Sequence, residues 1–509
     1  MSVLRRAPAD ILAEIAALRA ADAPTHGGRV LSYVYDSGEP ELDELAAGAA
    51  RLMQPVNGLD PTTFTSVAAM EAGLVGFARR VFHGEGGHDA EAVVGSVTSG
   101  GTESCLLAVK GARDAWRAAG GSSAGGPRLV APVTAHAAFH KAAEYFGLEL
   151  DLVPVDPATG APSAEAIASR LGDDVALVVV SAPSYPFATL DPVEEVAAAC
   201  AAPGIPLHVD ACIGGFALAF WPVAVPAWDF RVPGVTSLSA DLHKYGYAPK
   251  GVSVLLTRGR DRQRHQYFAT TGWPGYPVVN PTMAGSKPAG PLAAAWAITE
   301  AIGEPGFAEL TSRAARATAA LREAIARIEG LRVVGEPTGP LLAVAADERV
   351  APERRVDPHH WADAARAAGW QLQLQPGLAQ ADGTRLPHTT HLTVTPVTES
   401  VADDLADALA AAADAVRGTP PIDGAALVGH LAEGLPGGTR ALAAASAGLD
   451  SDAAAALLAA FGLLGGGDGS GGALPDRLAP VLALVEALPG ALTERLLIEL
   501  LARVVEPRA

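Results

Sequence analysis

From residue 92 onward the chain alternates short apolar runs with longer stretches whose apolar residues recur at helical spacing. The runs are AVVGSV, RLVAPV, LELDLVPV, ALVVVS, IPLHVD, VTSLS and GVSVLLT. Continuous Val/Leu runs of this length suit strands buried on both faces. The segments between the first of them, such as TESCLLAVKGARDAWRAAG and AHAAFHKAAEYFG, suit covering helices. The pattern predicts an α/β fold with a mostly parallel central sheet. Ahead of it, residues 1–60 read as two short helices around a tyrosine-containing loop, GGRVLSYVYDSGEPELDEL. Val67, Met70, Leu74, Val75 and Phe77 then predict a helix from about Ser66 to Phe82.

After the last run the pattern changes. The stretch TTGWPGYPVVNPTMAGSKPAGP is too irregular for one element and long for a connection, which marks a functional loop. A long helix is expected to start near Pro291. Residues 330–418 read as a smaller α+β domain with strands near LRVVGEP, LLAVAA and HLTVTPV. Beyond Arg417 the composition shifts to Ala/Leu/Gly helices with a GGGDGSGG insert at 465–472. Four units follow: an N-terminal segment 1–65, a large domain 66–290, a small C-terminal α+β domain 291–418 and a helical appendage 419–509.

Of the 509 residues 49% are hydrophobic and 18% charged, the balance of a folded chain with a large core. A net charge of −19 argues against nucleic acid or an anionic membrane surface as a partner. Cys105, Cys200 and Cys212 are odd in number and lack metal-ligand spacing, so no metal and a reducing, cytoplasmic setting are expected. The opening MSVLRRAPADILAEIAALRA is amphipathic rather than signal-like, and no apolar run is long enough to predict a membrane span.

Candidate chemistry begins with lysine. The chain has five lysines, arginine supplying the other 32 basic residues, yet Lys244 and Lys250 share one stretch, SADLHKYGYAPKG. Arginine stays protonated, whereas lysine can lose its proton and condense with an aldehyde. The run VTSLS just before puts Lys244 at a strand end. In SVTSGGTESC a strand meets Gly100 and Gly101 and then a helix, so backbone N–H groups and the Ser99 and Thr102 hydroxyls could hold a phosphate. Alone, that is also an ordinary strand-turn-helix. Asp210 in PLHVDACIGGF ends a buried strand, where it either caps locally or pairs with a cationic ring nitrogen. His136 opens a helix after a strand and could stack on a ring. Phosphate cup, strand-end carboxylate and strand-end lysine together fit pyridoxal 5'-phosphate (PLP).

The motifs VTSGGTES, AHAAFHKAAEYFG, HVDACIGGF and SADLHKYGYAPKG, with FRVPGVTS and NPTMAGSKPAG, run in order between about Gly28 and Thr395. They resemble the sphingosine-1-phosphate lyase branch of the PLP-dependent group II decarboxylase family. The resemblance implies a PLP-dependent transferase fold (fold type I) and a homodimer with its active site at the subunit interface. It implies Lys244 as the imine-forming residue, Asp210 at the ring nitrogen and His136 on the ring face. Gly100, Gly101, Thr102, Ser239 and His243 complete the cofactor-binding set. Lys250 would meet a substrate phosphate, and Tyr35, in SYVYDSG, would reach into the partner's site.

The reaction so implied is retro-aldol cleavage of a β-hydroxy amine or its phosphate, with Tyr247, Tyr245 or Lys244 as candidate base. An amino-acid decarboxylase is the alternative, with Arg385 as candidate partner for the α-carboxylate. A non-catalytic binding protein of this fold is the third, opposed by the retention of Lys244, Asp210 and His136. Two departures stand out. Ser286-Lys287 replaces the family's Ser-Arg, and NGLDPTTF stands where the relatives read Asn-Pro-Leu-His, which puts Asp60 at the phosphate-binding histidine. Asp60 either faces the pocket, repelling a substrate phosphate, or caps the next turn and points away.

Overall fold

The computed structural model describes residues 3–86, 92–433, 448–463 and 475–507. The GGGDGSGG insert lies outside them.

Each of the seven apolar runs forms a strand: Val93–Thr98 (β1), Arg128–Pro132 (β2), Glu149–Val153 (β3), Val175–Ser181 (β4), Leu207–Asp210 (β5), Val235–Ala240 (β6) and Ser253–Arg258 (β7). They make one sheet in the order β1-β7-β6-β5-β4-β2-β3. β7 runs antiparallel to both its neighbours and the other pairings are parallel. β4 is buried along its whole length and serves two cores. Leu177 and Val179 pack with Phe139 and Val109 from the helices Ala137–Phe146 and Gly101–Ala118. Val178 and Val180 pack with Leu74 and Phe77 of the helix Thr65–Val81, and with Phe307. Ser181, Asp210 and Ser239 lie in register at the carboxyl edge of β4, β5 and β6. Ligands of parallel α/β sheets gather at that edge.

The aromatic loop carries a short hairpin, Phe268–Thr270 (β8) with Val278–Asn280 (β9). The helix Gly290–Ala326 follows, kinked where Gly303 takes φ 52° two residues before Pro305. Its first half joins the large-domain core through Ile298 and Phe307, and its second half joins another core through Ala317, Leu321 and Ile325. That second core underlies the strands Leu331–Val333 (β10), Leu341–Ala346 (β11), Gln373–Gln375 (β12) and Thr389–Thr393 (β15). These pair antiparallel in the order β10-β11-β15-β12. Between β12 and β15 stands a separate hairpin of Leu378–Ala379 (β13) and Arg385–Leu386 (β14).

The N-terminal segment is stitched to this small domain. Leu31 N–H donates to Gln371 O (2.8 Å) and Thr393 N–H to Leu31 O (2.7 Å). The appendage contributes the helices Gly424–Glu433, Ser451–Ala460, Ala479–Ala487 and Gly490–Val504, with a core that includes Leu458, Leu484, Leu492 and Leu496. Asp363 of the small domain accepts the N–H groups of Leu478 (2.8 Å) and Ala479 (3.0 Å) at the start of its third helix. No helix among the described residues is long and apolar enough to cross a membrane.

Candidate active site

A cavity of about 550 Å³ opens between the carboxyl edge of the large sheet and the small domain. The sheet side gives it Asp210, Cys212, Ile213 and Lys244; the small domain gives it Gln373–Leu378, Leu386, Pro387 and Thr389. A second cavity of about 400 Å³ adjoins it, lined by Ser99–Glu103, Asp241, His243, Lys250 and Gly251. His136, Asp210, Cys212 and Lys244 line both, so they stand at the junction.

The second cavity is the cup expected from SVTSGGTESC. Gly100 has φ 152°, which favours glycine. A Cβ on Gly101 would stand 2.6 Å from Asp241 Oδ2 and 2.9 Å from Cys212 Sγ, so no side chain fits there. Glu103, in the first turn of the helix, accepts from Ser99 N–H (2.6 Å) through Oε2 and from Met283 N–H (2.7 Å) through Oε1. It thereby ties the cup to the aromatic loop. An acid three residues after the N-cap is the capping-box position, a sequence signal for this residue that the reading above passed over.

Lys244 follows β6 in a tight turn whose backbone closes from Lys244 N–H to Asp241 O (3.2 Å). Its Nζ lies 2.9 Å from Asp241 Oδ2, and only 1% of the Asp241 side chain is exposed. Burial alone would push the lysine pKa down, but the Asp241 carboxylate outweighs it and holds the amine well above its usual value. Asp241 was not singled out from the sequence. Its signal is weak, an acid three residues before a lysine, because only the fold shows that both are buried. His243 Nδ1 accepts from Val252 N–H (3.2 Å), which leaves Nε2 3.4 Å from Asp241 Oδ2.

Asp210 Oδ1 accepts from Cys212 N–H (3.0 Å), leaving its second oxygen for a cationic ring nitrogen. His136 caps the helix Ala137–Phe146 by accepting Ala138 N–H on Nδ1 (3.1 Å), so its free Nε2 and ring face belong to the cavity. Capping and ring contact are therefore compatible. Tyr185, also unforeseen, lines the larger cavity with its ring stacked 4.1 Å from His391.

The other candidate residues divide between the cavity lining and its surroundings. Tyr35, expected at a partner's site, has its ring 4.3 Å from Lys250 Nζ of its own chain and lines the larger cavity there. The pairing of Leu31 with its own small domain keeps it there. Tyr247, at φ 57°, turns its ring into the core against Phe307, away from the Lys244 cavities, and lines only a smaller recess beside Tyr35 and Lys250. Tyr245 likewise commits its hydroxyl to Val394 O (2.8 Å). Ser239 lies behind Cys212, its hydroxyl held between His208 Nε2 (3.1 Å) and Cys212 Sγ (3.2 Å), and lines neither cavity. Asp60 is exposed and binds its own turn, accepting from Thr62 N–H (2.9 Å) and Thr63 N–H (3.2 Å).

Lys250 donates to His243 O (3.0 Å) at the rim of the cup. Burial beside the Tyr35 ring, then the like charge of Lys244, push its pKa down to about 8. Arg385 meets Glu486 at 2.7 Å and does not line the larger cavity. Lys287 sits under Gly58, and Asn57 Nδ2 reaches Ser286 Oγ (3.3 Å), so the two departing segments pack against each other.

The residues present fit PLP. A strand-end amine, a strand-end carboxylate with a spare oxygen and an imidazole converge beside a cup whose glycines leave space that any side chain would fill.

Several known proteins are similar to this chain. Sphingosine-1-phosphate lyase 1 of Rattus norvegicus is 37% identical over 67% of this chain and 59% of its own length. The sphingosine-1-phosphate lyase of Dictyostelium discoideum is 35% identical over 66% of this chain and 63% of its own length, so the chain spans less than two thirds of either. That of Drosophila melanogaster is 34% identical, with 80% of this chain and 72% of the relative covered. The solved Burkholderia pseudomallei sphingosine-1-phosphate lyase superposes with a TM-score of 0.73 at 31% identity, over 82% of this chain and 93% of that one. Lactobacillus brevis glutamate decarboxylase, at 20% identity, shares the fold with a TM-score of 0.71 over 83% of this chain and 96% of its own. A model of the C-terminal domain of pyridoxal-dependent enzymes designated HTH matches residues 425–503. The model of the pyridoxal-dependent decarboxylase conserved domain matches residues 57–342, more than half of the chain, which therefore belongs to the pyridoxal-dependent decarboxylase family.

Proposed function

We propose that the chain is a PLP-dependent carbon–carbon lyase that splits a β-hydroxy amine, or its phosphate, into an aldehyde and an amine. One observation carries this reading. Lys244 stands where a glycine-lined cup, rimmed by Lys250, opens into a cavity with apolar walls that include Val133, Phe187, Ile213, Leu374 and Leu386. Among the described residues lining that larger cavity there is no arginine. An α-carboxylate would find no guanidinium fork there, while a hydrocarbon tail would be desolvated. This disfavours the decarboxylase alternative, whose candidate Arg385 is already paired with Glu486.

Bound PLP supplies an aldehyde for amine condensation and a ring that accepts the electron pair of the breaking bond. The chain's residues do the rest. Asp210 would hold a proton at the ring nitrogen, and His136 would lie against the ring while its Nδ1 stays on Ala138 N–H. The β-hydroxyl gives up its proton, the Cα–Cβ pair stays with Cα, and a proton returns there. Lys244, as a neutral amine, would take up that proton and return it, with Asp241 steadying the ammonium in between. Tyr35, its pKa raised to about 12 mainly by burial, stays protonated and can only donate to substrate oxygen.

We also infer a homodimer in the cytoplasm. Support for assembly comes from the aromatic loop, where Phe268, Trp273, Tyr276, Val279 and Met283 are exposed together, an apolar patch suited to a second copy. Support for a reducing compartment comes from three buried, unpaired cysteines.

The test is to load the purified chain with PLP and offer sphingosine 1-phosphate, shorter β-hydroxy amine phosphates and amino acids. Aldehyde release from the first two supports the proposal. Carbon dioxide from amino acids without aldehyde replaces it with decarboxylation. Absence of both, with no borohydride-fixed label on Lys244, leaves a binding protein.

A further inference from the structure

The wall of the larger cavity opposite the sheet comes from residues 373–378, Leu386, Pro387 and Thr389, yet its outer part is a hairpin with two residues in each strand. A ladder that short does not hold itself. Two sets of contacts hold it. Toward the large domain, Gln380 pairs with the Val155 backbone in both directions, Nε2 to O and Oε1 from N–H, each at 2.8 Å. Away from the cavity, Arg385 Nη2 meets Glu486 Oε2 at 2.7 Å. Glu486 belongs to the helix Ala479–Ala487 of the appendage, and its side chain is 15% exposed. His388, three residues after Arg385, donates from Nε2 to Asp357 Oδ2 at 2.8 Å and lies 3.9 Å from Glu486 Oε1. So the residues whose neighbours Leu386 and Pro387 face the cavity are fastened from behind by a carboxylate of another domain.

The appendage itself carries ten acidic and five basic residues from 419 to 509, a charge opposed to nucleic-acid binding. Its contact with the cavity wall is the feature that gives it a role. We propose that the appendage is a specificity element of the catalytic pocket: Glu486 is a positioning residue that holds the β13–β14 hairpin, so that Leu378, Leu386 and Pro387 form a fixed apolar wall for the hydrocarbon tail of an amine substrate. The proposal rests on the reading of this cavity as the catalytic pocket. A tail that reaches the hairpin feels the loss of Glu486; a short substrate held only at the cup and Lys244 does not.

The experiment compares wild type with Glu486→Ala and with Glu486→Gln, which keeps the shape and removes the charge; Glu506→Ala, on the appendage but outside this contact, is the control. Hydrogen exchange, read with and without PLP, should quicken about tenfold at residues 378–386 in both Glu486 variants, while the helix Gly490–Val504 exchanges as in wild type. With long-chain β-hydroxy amine phosphates KM should rise about tenfold at unchanged kcat, and with short-chain ones neither constant should move. Unchanged exchange in the hairpin, or equal KM changes for long and short substrates, overturns the proposal. Quickened exchange throughout the appendage as well means a lost domain contact rather than a positioned wall, and also overturns it. Wild type that turns over no substrate of either length, yet shows the local change in exchange, removes the lyase reading and leaves the brace standing.

Discussion

Asp241 has one side-chain partner that neutralises it fully, the ammonium of Lys244 at 2.9 Å. Removing the lysine alone strands a carboxylate in the interior, which costs about 3–5 kcal/mol when a buried ion pair loses one member. Lys244→Ala should therefore lose turnover and also lower the unfolding free energy of the PLP-free protein by about 3 kcal/mol. The double variant Lys244→Ala/Asp241→Asn should recover most of that stability and none of the turnover. Denaturant titration of the four members of the cycle checks it, and additive losses would contradict the pairing. Lys250 makes a different prediction. With its pKa down to about 8, it carries a full charge below that pH and loses it above. For a phosphorylated substrate kcat/KM should fall about tenfold per pH unit beyond that point, since this constant reports ionisations of the free enzyme. A β-hydroxy amine without phosphate should show no such limb. Parallel profiles for the two substrates would separate Lys250 from phosphate binding.

The turn that opens the helix Thr65–Val81 answers the question raised by Asp60. Its carboxylate is spent on Thr62 and Thr63, so Asp60→Ala should lower the melting temperature while leaving KM for phosphorylated substrates within about twofold, as for other surface changes away from a site. A large gain in phosphate affinity would return Asp60 to the pocket. The hairpin contact has a pH signature. His388 faces Asp357 and Glu486, with Arg385 and His359 as the nearby cations and imidazole. Burial lowers its pKa, but the Asp357 carboxylate raises it further, and the balance lies above the usual histidine value. Its stabilisation is thus complete below the ordinary histidine pKa and fades as pH rises through the raised one. Thermal melts should show that loss in wild type and not in His388→Asn. The seven large-domain strands were legible because each lies in a short run rich in Val and Leu, most plainly VALVVVS. β12, β13 and β14 were not, because QLQ, LA and RL are too short and too polar to carry a period. The same reason hid the cavity wall. Lys244 and Asp210 could be read from their strand-end context, whereas Asp241, Tyr185 and the inward turn of Tyr247 depend on what the fold brings beside them.

At the scale of the chain, the helix Gly290–Ala326 bridges a core of the large domain and the core of the small domain, with the cavity between the two domains. Arg313 on that helix reaches Glu39 and Arg316 reaches Glu399, so the N-terminal segment and the small domain are clamped to one spine. Tyr35 accordingly lines the cavity of Lys244 in its own chain, and we propose that the two act within one chain. Mixing Tyr35→Phe chains with Lys244→Ala chains should give no recovery of activity in verified heterodimers, whereas a site shared across subunits would regain about half of one. The scarcity of lysine has a last consequence, in the handling of the protein. Lys110 is held by the carbonyls of His265 (2.8 Å) and Tyr267 (2.9 Å), and Lys244 is mostly enclosed. Only Lys141 and Lys250 are exposed amines among the five lysines. On the proposed lyase reading, few exposed amines stand where a released aldehyde could modify them. At limiting amounts and near neutral pH, an acylating reagent should mark Lys250 before Lys141, because an amine with its pKa pushed down to about 8 offers far more of its unprotonated form. Peptide mapping would read the order, and the rim of the site would become an address for attaching a surface, a dye or a tether.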